Sequence, residues 1–124
     1  MFAVSIDRSA GLIRLSMSGL FCRNEVVACR TQLRDAATAL GRPLAELGVL
    51  VDTPGQVLQT QEVVAAFQQM PLPANAGVRI AVVCRGRLLR MQLRRILPAE
   101  RSGLFDTIAE AEAWLARTRR ERAA

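Results

Sequence analysis

The chain has 124 residues, about half of them apolar, and a formal net charge of +6. This length fits a single domain with a sizeable core, and no apolar run reaches the ~18 residues of a membrane-spanning helix. The amino terminus carries no basic leader, so we expect a globular cytoplasmic protein without a membrane span. We assign residues 1–116 to the domain and the arginine-rich residues 117–124 to a frayed tail.

All 17 basic residues are arginine, and the chain has no lysine, histidine or tyrosine. A positive charge can attract partners that carry phosphate. A coding bias towards arginine explains the same composition without any partner, and we favour that explanation.

These absences bear on catalysis, because histidine, lysine and tyrosine supply many of the general bases and activated nucleophiles of enzymes. Three cysteines remain, Cys22, Cys29 and Cys84, in a spacing that fits neither a zinc site nor a redox pair. We interpret them as small buried hydrophobic residues. The sequence therefore predicts a protein that is not an enzyme and that holds no metal and no cofactor, with a carboxylate-based catalytic site as the alternative.

The chain opens with two segments of alternating apolar and polar residues, 2–6 and 13–17, on either side of a turn. This alternation is typical of half-buried strands and predicts a hairpin. The period then changes to that of a helix, for which Asn24 is the expected N-cap. Gly41 ends this helix.

Two short apolar runs follow, 47–52 and 78–84, and each is too short for a buried helix. Runs of this kind are typical of strands covered on both faces of a sheet. We expect them to be neighbours in the middle of the sheet. Ligands of such sheets collect beyond the carboxyl ends of the strands, which makes Asp52 and Thr53 the first candidate site residues.

Three more helical patterns complete the chain. We expect helices from about Thr60, from Arg87 and from a cap at Asp106 or Thr107, the last preceded by a very short strand. The order is then β-β-α-β-α-β-α-β-α. It describes a single α/β domain with a mixed sheet of four or five strands and crossover helices.

This order, together with two sequence stretches, resembles the SpoIIAA-like branch of the STAS-like superfamily. One stretch is Leu50-Val51-Asp52, a covered strand that ends in an acid. The other is 104–115, LFDTIAEAEAWL, which contains a Phe, an N-cap acid and an Ala-x-x-Trp-Leu ending. The resemblance covers essentially the whole chain, and it implies a non-enzymatic module that binds a partner protein.

In domains of this type the switch is a phosphorylatable Ser or Thr at the start of the helix after the third strand, within an Asp-Ser-Ser-Gly-like phrase. This chain has Gln59-Thr60-Gln61-Glu62 there, so it departs from the pattern. Thr60 could take the acceptor position, but Glu62 would set like charge beside a phosphate. A helix cap is the simpler role for Thr60. Related folds of the CRAL-TRIO type enclose lipids, so the resemblance also makes a lipid-like ligand available.

Two functions follow from these observations. The first is a regulatory or interaction module whose partner is another protein or a second copy of the chain. The second is a carrier of a small apolar or amphipathic ligand, held between helices and sheet near Asp52, Phe67 and Met70. Plain core packing of Phe67 and Met70 gives the same sequence pattern as a cavity.

A third function is the binding of a phosphate-bearing or otherwise anionic partner. Arg87, Arg90 and Arg94 recur at helical spacing and share one helix face. A solvated basic face is the simpler interpretation. No aromatic residue lies between Arg79 and Leu104, which argues against nucleic acid, because single-strand binders stack bases on aromatic side chains.

Overall fold

The structure is a computed structural model and describes residues 1–43, 46–55, 57–69 and 77–123. Strands and helices alternate along it as the sequence predicts, which confirms the α/β fold class. The strands are β1 (Phe2–Asp7), β2 (Leu12–Met17), β3 (Gly48–Asp52), β4 (Arg79–Val83) and β5 (Ser102–Phe105). The helices are α1 (Arg23–Leu40), α2 (Gln61–Gln69), α3 (Arg87–Ile96) and α4 (Ile108–Ala123), with a 3₁₀ turn at Ala99–Arg101.

One mixed sheet holds the strands in the order β1-β2-β3-β4-β5. β1 lies at one edge and pairs antiparallel with β2, as the predicted hairpin requires. The pairs β2–β3, β3–β4 and β4–β5 are all parallel. Four strands therefore end at the same side of the sheet, which we call the carboxyl edge. Their starting points form the amino edge.

The two central strands are covered on both faces, which confirms the prediction for the two apolar runs. All five residues of β4 are buried, and so are the first four residues of β3. Successive side chains of a strand point to opposite faces. The helices α1, α2 and α3 lie on one side of the sheet, and α4 is the one described helix that packs on the other side.

Small residues let α4 lie close to the sheet. Ala81 on β4 and Ala111 on α4 are fully buried in the same cluster. A Cβ atom added at Gly48 would stand 2.9 Å from Cδ2 of Leu115. Real Cβ contacts are essentially never that short, so a larger residue at position 48 would force the Leu115 side chain to shift.

Arg79 fastens α4 to the amino edge of the sheet, although only 1% of this residue is exposed. Its Nη1 donates hydrogen bonds to the carbonyl oxygen of Leu115 and, over 2.7 Å, to Oγ1 of Thr118. Its Nη2 donates to the carbonyl oxygen of Glu46 over 3.3 Å. One guanidinium thus joins β4, α4 and the segment before β3, and burial of its charge is balanced by hydrogen bonds.

Two helix ends differ from the sequence prediction. α1 begins at Arg23, with Cys22 in place of Asn24 at the N-cap. The Cys22 carbonyl oxygen accepts the hydrogen bond from the Val26 N–H, and no side chain caps this helix. The prediction of Asn24 was wrong because a favourable cap residue inside the first turn does not by itself fix where the turn starts.

The last helix is capped by Thr107 and not by Asp106. The Thr107 hydroxyl accepts a hydrogen bond from the Glu110 N–H over 3.1 Å and donates one to the Glu110 carboxylate over 3.0 Å. α4 then continues through Ala123, into the segment from residue 117 that we expected to be a frayed tail. Tertiary contacts hold this end of the helix, since Arg119 Nη1 donates to the carbonyl oxygen of Ala10 over 2.7 Å.

Replacement of Arg79 tests its role as a fastener. We expect Arg79→Ala to lower the free energy of unfolding by about 2–4 kcal/mol, because it removes the hydrogen bonds that the buried guanidinium donates to α4 and to the segment before β3. Urea denaturation followed by circular dichroism measures the change. Arg34→Ala on the exposed side of α1 is the control and should change stability by less than about 0.5 kcal/mol. Equal effects of the two changes would contradict the assignment.

Candidate functional site

A cavity of about 270 Å³ lies between the sheet and the helices α1 to α3. Its floor is the face of β2, β3 and β4 that α1, α2 and α3 cover. Residues two apart on a strand point to the same face, so alternate residues of each strand form this floor. The register sets Leu15, Val51 and Val82 side by side across the three strands. The remaining floor residues are Met17, Thr53 and Ile80.

Helices supply the walls and roof of the cavity. Cys29 and Leu33 reach it from α1, and Phe67 reaches it from α2. α3 forms the roof and runs the whole length of the cavity, since it starts beyond the carboxyl edge and ends at the amino edge. Its inward residues are Leu89, Gln92, Leu93 and Ile96.

Several apolar side chains around the cavity are only half buried. Met17, Phe67, Leu93 and Ile96 all line it, yet each keeps part of its surface accessible. Protein interiors rarely contain voids larger than a water molecule. A space of 270 Å³ is nearly twice the ~150 Å³ cavity that binds benzene in an engineered protein. The arrangement can therefore hold a small apolar molecule.

Two glutamines close the cavity at the carboxyl edge. The Gln92 side chain accepts a hydrogen bond from the Gln59 N–H over 3.0 Å and donates one to the Gln59 carbonyl oxygen over 2.8 Å. The Gln59 side chain accepts from the Phe21 N–H over 2.8 Å and donates to the Gly19 carbonyl oxygen over 3.0 Å. These bonds tie α3 to the loop before α2 and to the loop before α1. We call this arrangement the glutamine latch.

The structure separates the first two candidate site residues. Thr53 lines the cavity, and its hydroxyl donates a hydrogen bond to the Val83 carbonyl oxygen over 2.7 Å. Asp52 points to the opposite face of the sheet, where it borders a shallow depression together with Arg14, Ser16 and Ile108. The candidate ligand region thus includes Thr53 but lies on the other side of the sheet from Asp52.

The remaining candidates near α2 also separate. Phe67 lines the cavity. Thr60 stands at the exposed N-terminus of α2, where its hydroxyl accepts a hydrogen bond from the Val63 N–H over 3.3 Å, as expected for a cap. Met70 lies outside the described residues.

The thiol of Cys29 is a potential nucleophile in the cavity wall, but its buried environment suppresses its reactivity. Burial raises the pKa of the Cys29 thiol to about 11. The nucleophilic form of cysteine is the thiolate, and at neutral pH this thiol is almost entirely protonated. The cavity wall therefore supplies no activated sulfur nucleophile.

The three arginines of α3 do not act as one set. Arg90 is anchored, because its Nε donates to the Cys84 carbonyl oxygen over 2.8 Å and its Nη2 lies 2.6 Å from Oδ1 of Asp106. Arg87 and Arg94 are exposed, and no acidic side chain in the described part of the chain pairs with them. The candidate anionic-partner face is thus reduced to Arg87 and Arg94.

Three polar residues that line the cavity were not among the predicted site residues: Gln59, Gln92 and Arg101. Gln92 carried a signal, because it falls within the apolar stripe of α3 beside Leu89 and Leu93. Gln59 and Arg101 precede regular elements and show no periodicity. Only the tertiary fold brings Arg101 to the cavity, at the amino edge.

Two further searches cover the described residues only. No cluster of three or more Cys, Asp or Glu side chains in 1–43, 46–55, 57–69 and 77–123 is arranged to hold a metal ion. Over the same ranges, no helix combines the length and the apolar character that crossing a membrane demands.

Comparisons with known proteins do not assign a family. Neither protein-family models nor curated protein sequences give a significant match to the chain. The resemblance to STAS-like domains therefore stays a prediction that rests on the residues quoted above.

Thiol reactivity checks the burial of the cavity wall. The interpretation of all three cysteines as buried was wrong for Cys22, which is exposed. At pH 8 we expect a disulfide reagent to modify Cys22, while Cys29 and Cys84 stay protected. Burial raises the pKa of both protected thiols, so the reactive thiolate is scarce as well as shielded. In denaturant all three thiols should react. Cys22→Ser should abolish the fast reaction, and a fast phase that persists in this variant would contradict the burial of the other two.

Stability measurements separate the arginines of α3. Arg90→Ala should lower the free energy of unfolding by about 1 kcal/mol, because it removes a hydrogen bond to a carbonyl group and a partly exposed ion pair. Arg87→Ala and Arg94→Ala should each change it by less than about 0.5 kcal/mol. Urea midpoints of the three variants decide. A loss at Arg87 or Arg94 as large as that at Arg90 would mean that the whole face is scaffold.

Proposed function

We propose that this domain is a non-catalytic module that binds one small apolar or amphipathic molecule in the cavity beneath α3. The observation that carries the proposal is the cavity itself, an apolar space of about 270 Å³ with half-buried apolar walls. Ligand pockets are typically concave and mostly apolar, with a few polar groups that orient the ligand. Its volume is just below the ~300 Å³ at which typical pockets begin, so the ligand is small.

The chemistry of the lining supports binding without catalysis. The sequence contains no histidine, lysine or tyrosine, and the one thiol in the wall that could attack a ligand is held protonated by burial. The hydroxyl of Thr53 and the side chains of the glutamine latch are engaged in hydrogen bonds within the protein. Removal of apolar surface from water is then the main source of affinity.

The outer face of α3 favours a second candidate function, the regulatory or interaction module that binds another protein. Leu88 and Met91 on this face are 61% and 48% exposed. Arg87 and Arg94 stand beside them. Exposed apolar side chains with cationic neighbours suit a partner whose own surface combines apolar and acidic residues.

A charge-reversal pair tests this second candidate. With an immobilised glutamate polymer as the acidic probe, Arg87→Glu combined with Arg94→Glu should weaken retention and flatten its dependence on salt. Arg23→Glu with Arg34→Glu on exposed positions of α1 makes the same change in net charge and is the control. Equal losses of retention in both pairs would show that net charge alone causes the effect, and would reject the outer face of α3 as the binding surface.

Filling the cavity tests the primary proposal. Val51 and Val82 lie next to each other on its floor, so Val51→Met with Val82→Met places longer side chains in the space. The neutral fluorophore N-phenylnaphthylamine should bind the wild-type protein at one site. We expect its affinity to fall at least about tenfold in the filled variant, a difference of ~1.4 kcal/mol. Fluorescence titration measures both.

The neighbouring residue Leu50 provides a matched control. It is buried on the α4 side of the same strand, so Leu50→Met changes the core without entering the cavity and should leave fluorophore binding unchanged. Thermal melts check that all variants are folded. Unchanged binding in the folded Val51→Met, Val82→Met variant would place the fluorophore elsewhere and overturn the proposal.

A further inference from the structure

One cation reaches the cavity. Arg101 lies at its amino-edge end, directly before β5, and it is the one charged side chain that the described residues contribute to the lining. The side chain is 16% exposed. A guanidinium that is largely removed from water needs hydrogen-bond acceptors or an opposite charge, because burial of an unpaired charge is unfavourable.

The protein satisfies this guanidinium only in part. Arg101 Nη1 donates a hydrogen bond to the Val78 carbonyl oxygen over 3.2 Å. The carboxylate of Glu100 is 3.9 Å from Nε, at the limit of an ion pair, and the Glu100 side chain is 76% exposed. Such a solvated, distant partner contributes little. A guanidinium has five N–H donors, and within the described residues these two contacts are the ones that engage them.

The opposite end of the cavity differs, because its polar groups already have partners. Thr53 donates to a strand carbonyl, and the glutamine latch uses both Gln59 and Gln92. Between the two ends the lining is apolar, with Leu15, Val51 and Val82 on the floor. The cavity thus resembles a slot with an apolar interior, a closed polar end and a cationic end.

We propose that the cavity binds a medium-chain carboxylic acid, with the carboxylate on Arg101 and the hydrocarbon chain along the slot towards the glutamine latch. This inference rests on the proposed function and names the class of ligand. A planar guanidinium matches a carboxylate through two parallel N–H···O bonds. Burial of the chain supplies affinity in proportion to its apolar area.

The charge of the site favours a carboxylate over a phosphate. A phosphate monoester carries about −1.5 to −2 charges at neutral pH, whereas the slot offers one cation with the Glu100 carboxylate 3.9 Å away. A monoanion neutralises Arg101 and adds less negative charge beside Glu100 than a phosphate monoester would. A ligand with a single carboxylate is therefore the better electrostatic match.

Decanoate and decanol are the probes that test the headgroup, since they share a chain and differ in charge. By isothermal calorimetry the wild-type protein should bind decanoate at least about tenfold more tightly than decanol, as expected when one charge-assisted contact is added. Arg101→Gln should bring decanoate down to the affinity of decanol and leave decanol unchanged. Arg95→Gln removes an exposed arginine from α3 outside the cavity, and it should alter neither affinity.

The outcomes distinguish this inference from the function on which it rests. If decanol binds and decanoate binds no better, the carboxylate contact is rejected while the apolar cavity remains a ligand site. If neither probe binds, both proposals are rejected. The wild-type comparison needs no variant, so it stands even if Arg101→Gln fails to fold. Equal losses in Arg101→Gln and Arg95→Gln would also overturn the contact, because the effect would then be one of net charge.

Discussion

The close contact between α4 and the sheet determines how the rest of the domain packs. On that side the central strands present Gly48 and Ala81, whose small size lets the helix lie close to the sheet. Arg79 then fastens the helix to the amino edge. On the other side the same strands present Val51 and Val82, and three helices share the cover. One helix thus packs closely on that face, whereas the cavity beneath α3 lies on the other face.

Most of the fold could be predicted from sequence patterns that do not depend on tertiary contacts. The apolar runs of β3 and β4 are short and bounded by turn residues, so their burial on both faces could be predicted. The ends of α1 and α4 could not. A cap such as Cys22 uses only its backbone, and the helix beyond residue 116 is held by Arg119 through a contact with Ala10, more than a hundred positions away in the chain.

The candidate site was harder to predict, because the central strands are buried on both faces. A strand covered on both faces shows no alternation, so its sequence does not tell which side chains share a face. Nothing in the sequence distinguishes the orientation of Asp52 from that of Thr53, yet as successive residues they point to opposite sides of the sheet. The cavity could not be predicted from the sequence either, because a void and a filled core are lined by the same residue types. Arg101 was missed because it lies in a short turn before β5, where no periodicity places it near the cavity.

α3 connects the two proposed functions, because one face of the helix lines the cavity and the other face is exposed to solvent. Its inner side roofs the cavity through Leu89 and Leu93, and its outer side carries Leu88 and Met91 in solvent. Arg90 and the glutamine latch hold the helix by its side chains at the carboxyl edge. A molecule that alters the packing beneath this helix would act directly on the surface above it.

The use of arginine as a donor to carbonyl groups has a consequence for acid tolerance. Guanidinium groups stay protonated throughout the range in which proteins fold, and a backbone carbonyl has no proton to gain. Contacts such as Arg8 to Ala39 and Arg119 to Ala10 therefore persist when acid neutralises the carboxylates of pairs like Arg90 and Asp106. A chain that lacks histidine, the side chain whose ordinary pKa lies closest to neutrality, thereby keeps its long-range hydrogen bonds in acid as well.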